Sequence, residues 1–266
     1  TDITQSLSLG GLTYGVTNME LTSAYASIAN GGTYQKPVLY TKVVDHNGNI
    51  LLSNTQKGKR VMKESTAFLL TDAMKDVITK GTGKSAKLSS SMAVAGKSGT
   101  TSNSYDYWFS GYTPYHTASV WMGYDKNTNF ASDNTHKKIW AKVMNEIIKT
   151  KQEQTTDFKK PADIVKAKVC KESGKLAIKG VCDHDPRGSR VITEYFEKGT
   201  VPTQTCDIHV AVEVCKTSDK LATKNCPANK KQRKIYIVRK KGSHGKTADT
   251  PYMLPKKYQS VFCKKH

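Results

Sequence analysis

Three β-prone segments, residues 92–101, 105–113 and 117–124, follow one another with only Ser102-Asn103-Ser104 and Thr113-Pro114-Tyr115-His116 between them. Turns that short join antiparallel neighbours, because a parallel return needs a crossover of a dozen or more residues. Helical periodicity brackets the block. Upstream, Thr17-Asn18-Met19-Glu20 is a capping-box pattern opening a helix with Leu21, Ala24, Tyr25 and Ile28 on one face, closed by Asn30-Gly31-Gly32. Pro37 to Asp45 and Ile50 to Ser53 flank His46-Asn47-Gly48-Asn49, an Asn-Gly hairpin signal. A second helix is expected over about 65–79, capped by Ser65, with Ala67, Leu70, Met74, Val77 and Ile78 at helical spacing. Downstream, about 135–150 carries Ile139, Trp140, Val143, Met144 and Ile147 on one face. Helices before and after an antiparallel sheet predict an α+β chain whose residues 1–150 form an α/β/α sandwich.

The first of the three segments also carries chemistry. In Val94-Ala95-Gly96-Lys97-Ser98-Gly99-Thr100-Thr101 a cation, hydroxyls and a glycine interrupt an apolar run. Side chains alternate along a strand, so Lys97 and Gly99 share one face while Ser98 and Thr100 share the other. Glycine inside a strand marks close approach of another backbone. Such a strand suits the edge of a sheet, accepting an extended peptide with ammonium and hydroxyl donors ready for a carboxylate.

With its surroundings, this stretch resembles the Lys-Thr/Ser-Gly box of penicillin-binding proteins and serine β-lactamases, and the flanks resemble class A penicillin-binding proteins. Those flanks are Gly10-Gly11-Leu12-Thr13-Tyr14-Gly15-Val16-Thr17, Tyr25-Ala26-Ser27-Ile28-Ala29-Asn30-Gly31-Gly32, Gly81-Thr82-Gly83 and Trp121-Met122-Gly123-Tyr124-Asp125. The resemblance implies the β-lactamase/transpeptidase-like sandwich and a serine DD-transpeptidase acting on D-Ala-D-Ala stem peptides, with β-lactams as mimics. It implies catalytic roles for Lys97, Ser98 and Thr100: an electropositive site, hydroxyls on the substrate carboxylate, and one oxyanion donor from the Thr100 backbone. Gly99 leaves room for the acyl group, and Thr101 completes the substrate-binding strand.

Two companion motifs are out of order. Ser132-Asp133-Asn134 and Ser243-His244-Gly245-Lys246 both follow the Lys97 box, whereas the family places its Ser-x-Asn and Ser-x-x-Lys before it. The nucleophile is therefore expected upstream of residue 1, and the start at Thr1 reads as a fragment boundary. The resemblance further implies the extracellular face of the bacterial membrane, with no cofactor and no metal. A non-catalytic wall-binding scaffold and a DD-carboxypeptidase remain alternatives, since the residues do not say whether water or an amine accepts the acyl group.

Beyond residue 150 the composition changes. Residues 1–150 hold 16 Lys/Arg against 10 Asp/Glu, while 151–266 hold 26 against 12, so most of the net +20 lies in the second part. Lys151 to Asp157 reads as a polar linker. Then Val169-Cys170-Lys171-Glu172-Ser173-Gly174-Lys175-Leu176-Ala177 is echoed by Val214-Cys215-Lys216-Thr217-Ser218-Asp219-Lys220-Leu221-Ala222, each followed by a second cysteine, Cys182 or Cys226. A small, β-rich, cysteine-containing domain is expected over 151–266. All six cysteines fall here, and local closure favours disulfides Cys170–Cys182 and Cys215–Cys226, leaving Cys206 and Cys263. Zinc is the rival, though no pair has Cys-x-x-Cys spacing. His184, between Asp183 and Asp185, reads as part of a polar turn. The run Lys230 to Lys241 suits an exposed, cation-studded strand, either guarding a sheet edge or binding anionic wall polymer rather than nucleic acid.

Overall fold

The computed structural model describes residues 3–239 and 247–265. Ser243 to Lys246 and the end of the basic run at Lys240 and Lys241 lie outside the described residues. Two compact units divide the chain, Thr1–Asp163 and Ile164–His266.

The first unit opens, after a short 3-10 turn, with α1 (Asn18–Ala29). Its capping box is complete: Thr17 Oγ1 accepts from the Glu20 N–H at 3.2 Å, and Glu20 Oε2 accepts from the Thr17 N–H at 2.8 Å. Strands β1 (Thr33–Tyr34), β2 (Lys42–Val44), β3 (Ile50–Ser53) and β4 (Lys59–Arg60) pair as β1 with β4 and as the β2–β3 hairpin around Asn47-Gly48. Next is α2 (Glu64–Thr79). Ser65 is not its cap: Lys63 holds that position with no side-chain capping bond to the helix, and Ser65 lies inside the first turn, buried. Glu64 in that turn complements the positive end of the helix dipole instead.

The expected sheet follows as β5 (Ala95–Thr100), β6 (Asp106–Tyr112) and β7 (Thr117–Gly123), antiparallel and in that order, so β5 forms one edge. The two faces meet different helices. Ala95 and Tyr112 pack with Met74 of α2 and with Tyr25 and Ile28 of α1. Phe109, opposite in parity, packs with Trp140, Ala141, Met144 and Ile148 of α3 (Thr135–Lys151). Phe109, Trp140 and Met144 are fully buried, each contributing about 1.5–3 kcal/mol by leaving water. Trp140 also donates Nε1–H to the Ala118 carbonyl at 3.0 Å, which fixes α3 against β7. Gly96 and Gly111 are register partners that let the core close: a Cβ on Gly111 would lie 2.9 Å from Trp140 Cζ2.

Residues read as a linker lie along this unit. Asp157 accepts from Lys75 Nζ at 2.7 Å, and the Phe158 ring meets Tyr112 edge-on, 5.4 Å between centroids.

The second unit is made of small antiparallel sheets. Strands β8 (Ile164–Cys170) and β9 (Val191–Glu197) form a hairpin, and β10 (His209–Cys215) lies between β11 (Lys220–Leu221) and β12 (Lys231–Ile237). Two groups of cysteines are buried in it: Cys170, Cys182 and Cys206 in one, Cys215, Cys226 and Cys263 in the other. No helix of the described residues is long and apolar enough to cross a membrane.

Candidate active site

Strand β5 presents its edge and three polar positions, Lys97, Ser98 and Thr100, together. Lys97, Gly99 and Thr100 are exposed and Ser98 is half-buried, whereas Ala95 and Gly96 just before them are buried. The strand thus enters from the core and delivers its box to the surface. In register, Lys97 faces Ser110, Ser98 faces Phe109, Gly99 faces Trp108 and Thr100 faces Tyr107.

Each side chain of the box has a defined setting. Lys97 Nζ donates to the Ser98 carbonyl at 2.7 Å, folding the ammonium back along its own strand. Ser98 Oγ lies 2.9 Å from Thr82 Oγ1, so the Gly81-Thr82-Gly83 loop after α2 reaches the strand. Thr82 was not singled out as a site residue from the sequence; the signal was its place inside a glycine-flanked block resembling the same family. Thr101 behaves differently from its neighbours. Its hydroxyl donates to Asp106 Oδ2 at 3.0 Å and accepts from the Asp106 N–H at 2.9 Å, locking the β5–β6 turn. Asp106 Oδ1 in turn accepts from Trp121 Nε1 at 2.8 Å, tying that turn to β7.

The field beside the strand is positive. Burial, and then the Lys97 charge, hold the Lys137 ammonium on α3 below the ordinary lysine value. Lys137 Nζ donates to Asn134 Oδ1 at 2.8 Å. The remaining members of Ser132-Asp133-Asn134 serve the start of α3: Ser132 Oγ lies 3.2 Å from His136 Nδ1, and Asp133 accepts from Lys138 at 2.8 Å.

In the second unit all six cysteines are buried, and their sulfurs gather in two groups, Cys170 with Cys182 and Cys206, and Cys215 with Cys226 and Cys263. A third cysteine joins each expected pair: Cys206 donates its N–H to the Leu176 carbonyl, and Cys263 to that of Leu221, both at 2.8 Å. His184 is exposed beside Asp183, 3.1 Å away, whereas Asp185 turns inward to His209. Zinc was the rival to disulfides in the sequence and His209 was not singled out there; the structure gathers Cys170, Cys182, Cys206 and His209 within reach of one ion.

A glycine-bearing edge strand, its cation and hydroxyls, and helices on both faces of the sheet agree with what sequence comparison finds. Residues 2–149 match the family described as the penicillin binding protein transpeptidase domain, and the chain belongs to that family. Residues 160–211 match the penicillin-binding protein 1A, C-terminal domain. The chain is similar to penicillin-binding protein 1A of Clostridium botulinum, 36% identical over 94% of this chain, and of Clostridium novyi, 33% over 95%. It spans about 30% of the length of these relatives. The crystal structure of penicillin-binding protein 1A from Haemophilus influenzae shares the fold, with a TM-score of 0.61 at 23% identity, covering 76% of this chain and 35% of that one.

Proposed function

We propose that this chain is the strand-bearing part of a serine DD-transpeptidase that cross-links peptidoglycan. The D-Ala-D-Ala end of a stem peptide lies along β5 as an added strand, and β-lactams occupy the same place as mimics. Lys97 supplies positive potential, Ser98 and Thr100 offer hydroxyls to the terminal carboxylate, and the Thr100 N–H is one oxyanion donor. Gly99 leaves the acyl group space against the strand, while Thr101 holds the turn that sets the strand's end.

The serine that attacks the peptide, and the lysine that takes its proton, come from polypeptide outside this chain. Attack forms the ester and expels D-alanine; an amine of a neighbouring stem peptide then breaks the ester and restores the serine. Exposed apolar side chains such as Tyr14, Leu39 and Ile50 offer that further polypeptide a surface to cover. The work is assigned to the outer face of the cytoplasmic membrane, where the substrate is.

The observation that carries this reading is the open edge of β5, with Lys97, Gly99 and Thr100 exposed along it. Labelled penicillin applied to the protein that contains this chain tests it. A covalent adduct, whose formation is blocked by prior incubation with unlabelled β-lactam, is expected; its absence would leave the non-catalytic scaffold.

A further inference from the structure

The second unit builds one cysteine pocket twice. In the first, Cys170 ends β8, the Ala177 N–H bonds to the Lys168 carbonyl at 3.1 Å, and the Leu176 carbonyl receives the Cys206 N–H at 2.8 Å. In the second, Cys215 ends β10, the Ala222 N–H bonds to the Glu213 carbonyl at 2.8 Å, and the Leu221 carbonyl receives the Cys263 N–H at 2.8 Å. The second sulfur of each pocket is held alike. The Ile178 N–H points at Cys182 Sγ and the Thr223 N–H at Cys226 Sγ, both at 3.3 Å. Backbone donors aimed at sulfur are the hydrogen bonds that a metal-bound thiolate accepts.

The first pocket contains a fourth donor. His209 is buried, with Nδ1 3.4 Å from Cys170 Sγ and 3.3 Å from Cys206 Sγ. Its other nitrogen, Nε2, lies 2.6 Å from Oδ2 of the buried Asp185. A proton on Nε2, held by that carboxylate, leaves the Nδ1 lone pair facing the sulfurs, which is how a carboxylate fixes a metal-binding histidine. The donor atoms of Cys170, Cys182, Cys206 and His209 all lie within 4.8 Å of one another. Tetrahedral zinc, with bonds of about 2.0–2.3 Å, holds its donors about 3.5–3.8 Å apart, so closure needs inward shifts of about an ångström or less.

We propose that Cys170, Cys182, Cys206 and His209 bind one zinc ion as a structural Cys3His site, with Asp185 orienting the histidine. Three thiols can make only one disulfide and leave one sulfur over, and a disulfide gives the inward-facing histidine no role. Three protein sulfurs and one nitrogen fill the tetrahedron, so no position is left for a reacting molecule. Binding releases the thiol protons, and Arg187, whose guanidinium bonds Asp185 at 2.7 Å, neutralises the carboxylate that holds the histidine. The sequence spacing Cys206-Asp207-Ile208-His209 recurs as Cys263-Lys264-Lys265-His266, whose Cys263 belongs to the second group; His266 lies outside the described residues.

The test is the metal content of the chain, purified without chelator or added oxidant, with thiols alkylated under denaturing conditions and mapped by mass spectrometry. At least one zinc per chain is expected, and a Cys206→Ser, His209→Ala double variant loses one equivalent relative to wild type. Cobalt replacing the zinc should give thiolate charge-transfer and tetrahedral visible bands that weaken in the double variant. If that variant does not fold, chelator added to the wild-type chain serves instead: metal loss should open Cys170, Cys182 and Cys206 to alkylation. Asp185→Asn should weaken zinc binding about 10- to 100-fold. Absence of zinc, a mapped disulfide between any two of Cys170, Cys182 and Cys206, or metal content unchanged in the double variant would overturn the proposal.

Discussion

Ser98 Oγ and Thr82 Oγ1 are hydrogen-bonded at 2.9 Å, joining the loop after α2 to the exposed edge of β5. A hydroxyl that must meet a carboxylate gains from being held in one rotamer before the substrate arrives. Thr82→Val removes that partner while keeping shape. A neutral hydrogen bond contributes about 0.5–1.5 kcal/mol, so β-lactam acylation of the protein containing this chain should slow about 2- to 10-fold. Stopped-flow acylation beside a thermal melt checks this, with the melt expected to stay nearly unchanged.

Glycines at two points of the sheet should separate folding from function. At Gly111 an added Cβ would lie 2.8 Å from Phe109 Cε1 and 2.9 Å from Trp140 Cζ2, so Gly111→Ala should cost about 1–3 kcal/mol of stability. At Gly99 the nearest atom would be Trp108 Cβ at 3.5 Å, an ordinary contact. Gly99→Ala should therefore fold like wild type and still acylate more slowly, because the methyl occupies the edge that the substrate needs. Chemical denaturation paired with acylation kinetics reads both.

The Lys137 ammonium titrates low through burial and the charge of Lys97. Removing a like charge favours the protonated form, so Lys97→Ala should raise the Lys137 pKa. Side-chain NMR titration of labelled lysines measures the shift; no upward movement would place the two ammonium groups out of each other's field.

The excess of cations in residues 151–266 should make the chain adhere to anionic wall polymer through long-range attraction. Co-sedimentation with purified wall should be strong at low salt and fall steeply as screening shortens to about 8 Å near physiological ionic strength. Failure to pellet at low salt removes wall binding from the account.

Much of the first unit was legible because its signals are local. The capping box at Thr17 and Glu20, the Asn47-Gly48 hairpin and the three closely spaced strands each declare themselves within a few residues. Ser65 misled because a serine near a helix start resembles a cap even when the helix begins before it. Thr82 was missed for a different reason: its partner Ser98 is distant in sequence and reaches it only through the fold. The cysteine pockets were hidden in the same way. Cys206 and Cys263 arrive through isolated parallel bridges, Leu176 with Thr205 and Leu221 with Phe262, which neighbouring spacing does not reveal. A Cys-x-x-His spacing, present twice, was the available sign.

We propose that the ammonium of Lys97 and the hydroxyls of Ser98 and Thr100 on β5 grip the substrate carboxylate for a serine supplied by other polypeptide. The most direct measurement is the second-order rate of acylation by a fluorescent penicillin, comparing wild type with Lys97→Ala in the protein that contains this chain. Loss of a charge-assisted hydrogen bond, about 1.5–3 kcal/mol, predicts a fall of roughly 10- to 150-fold with the fold intact. A rate equal to that of wild type would contradict the account.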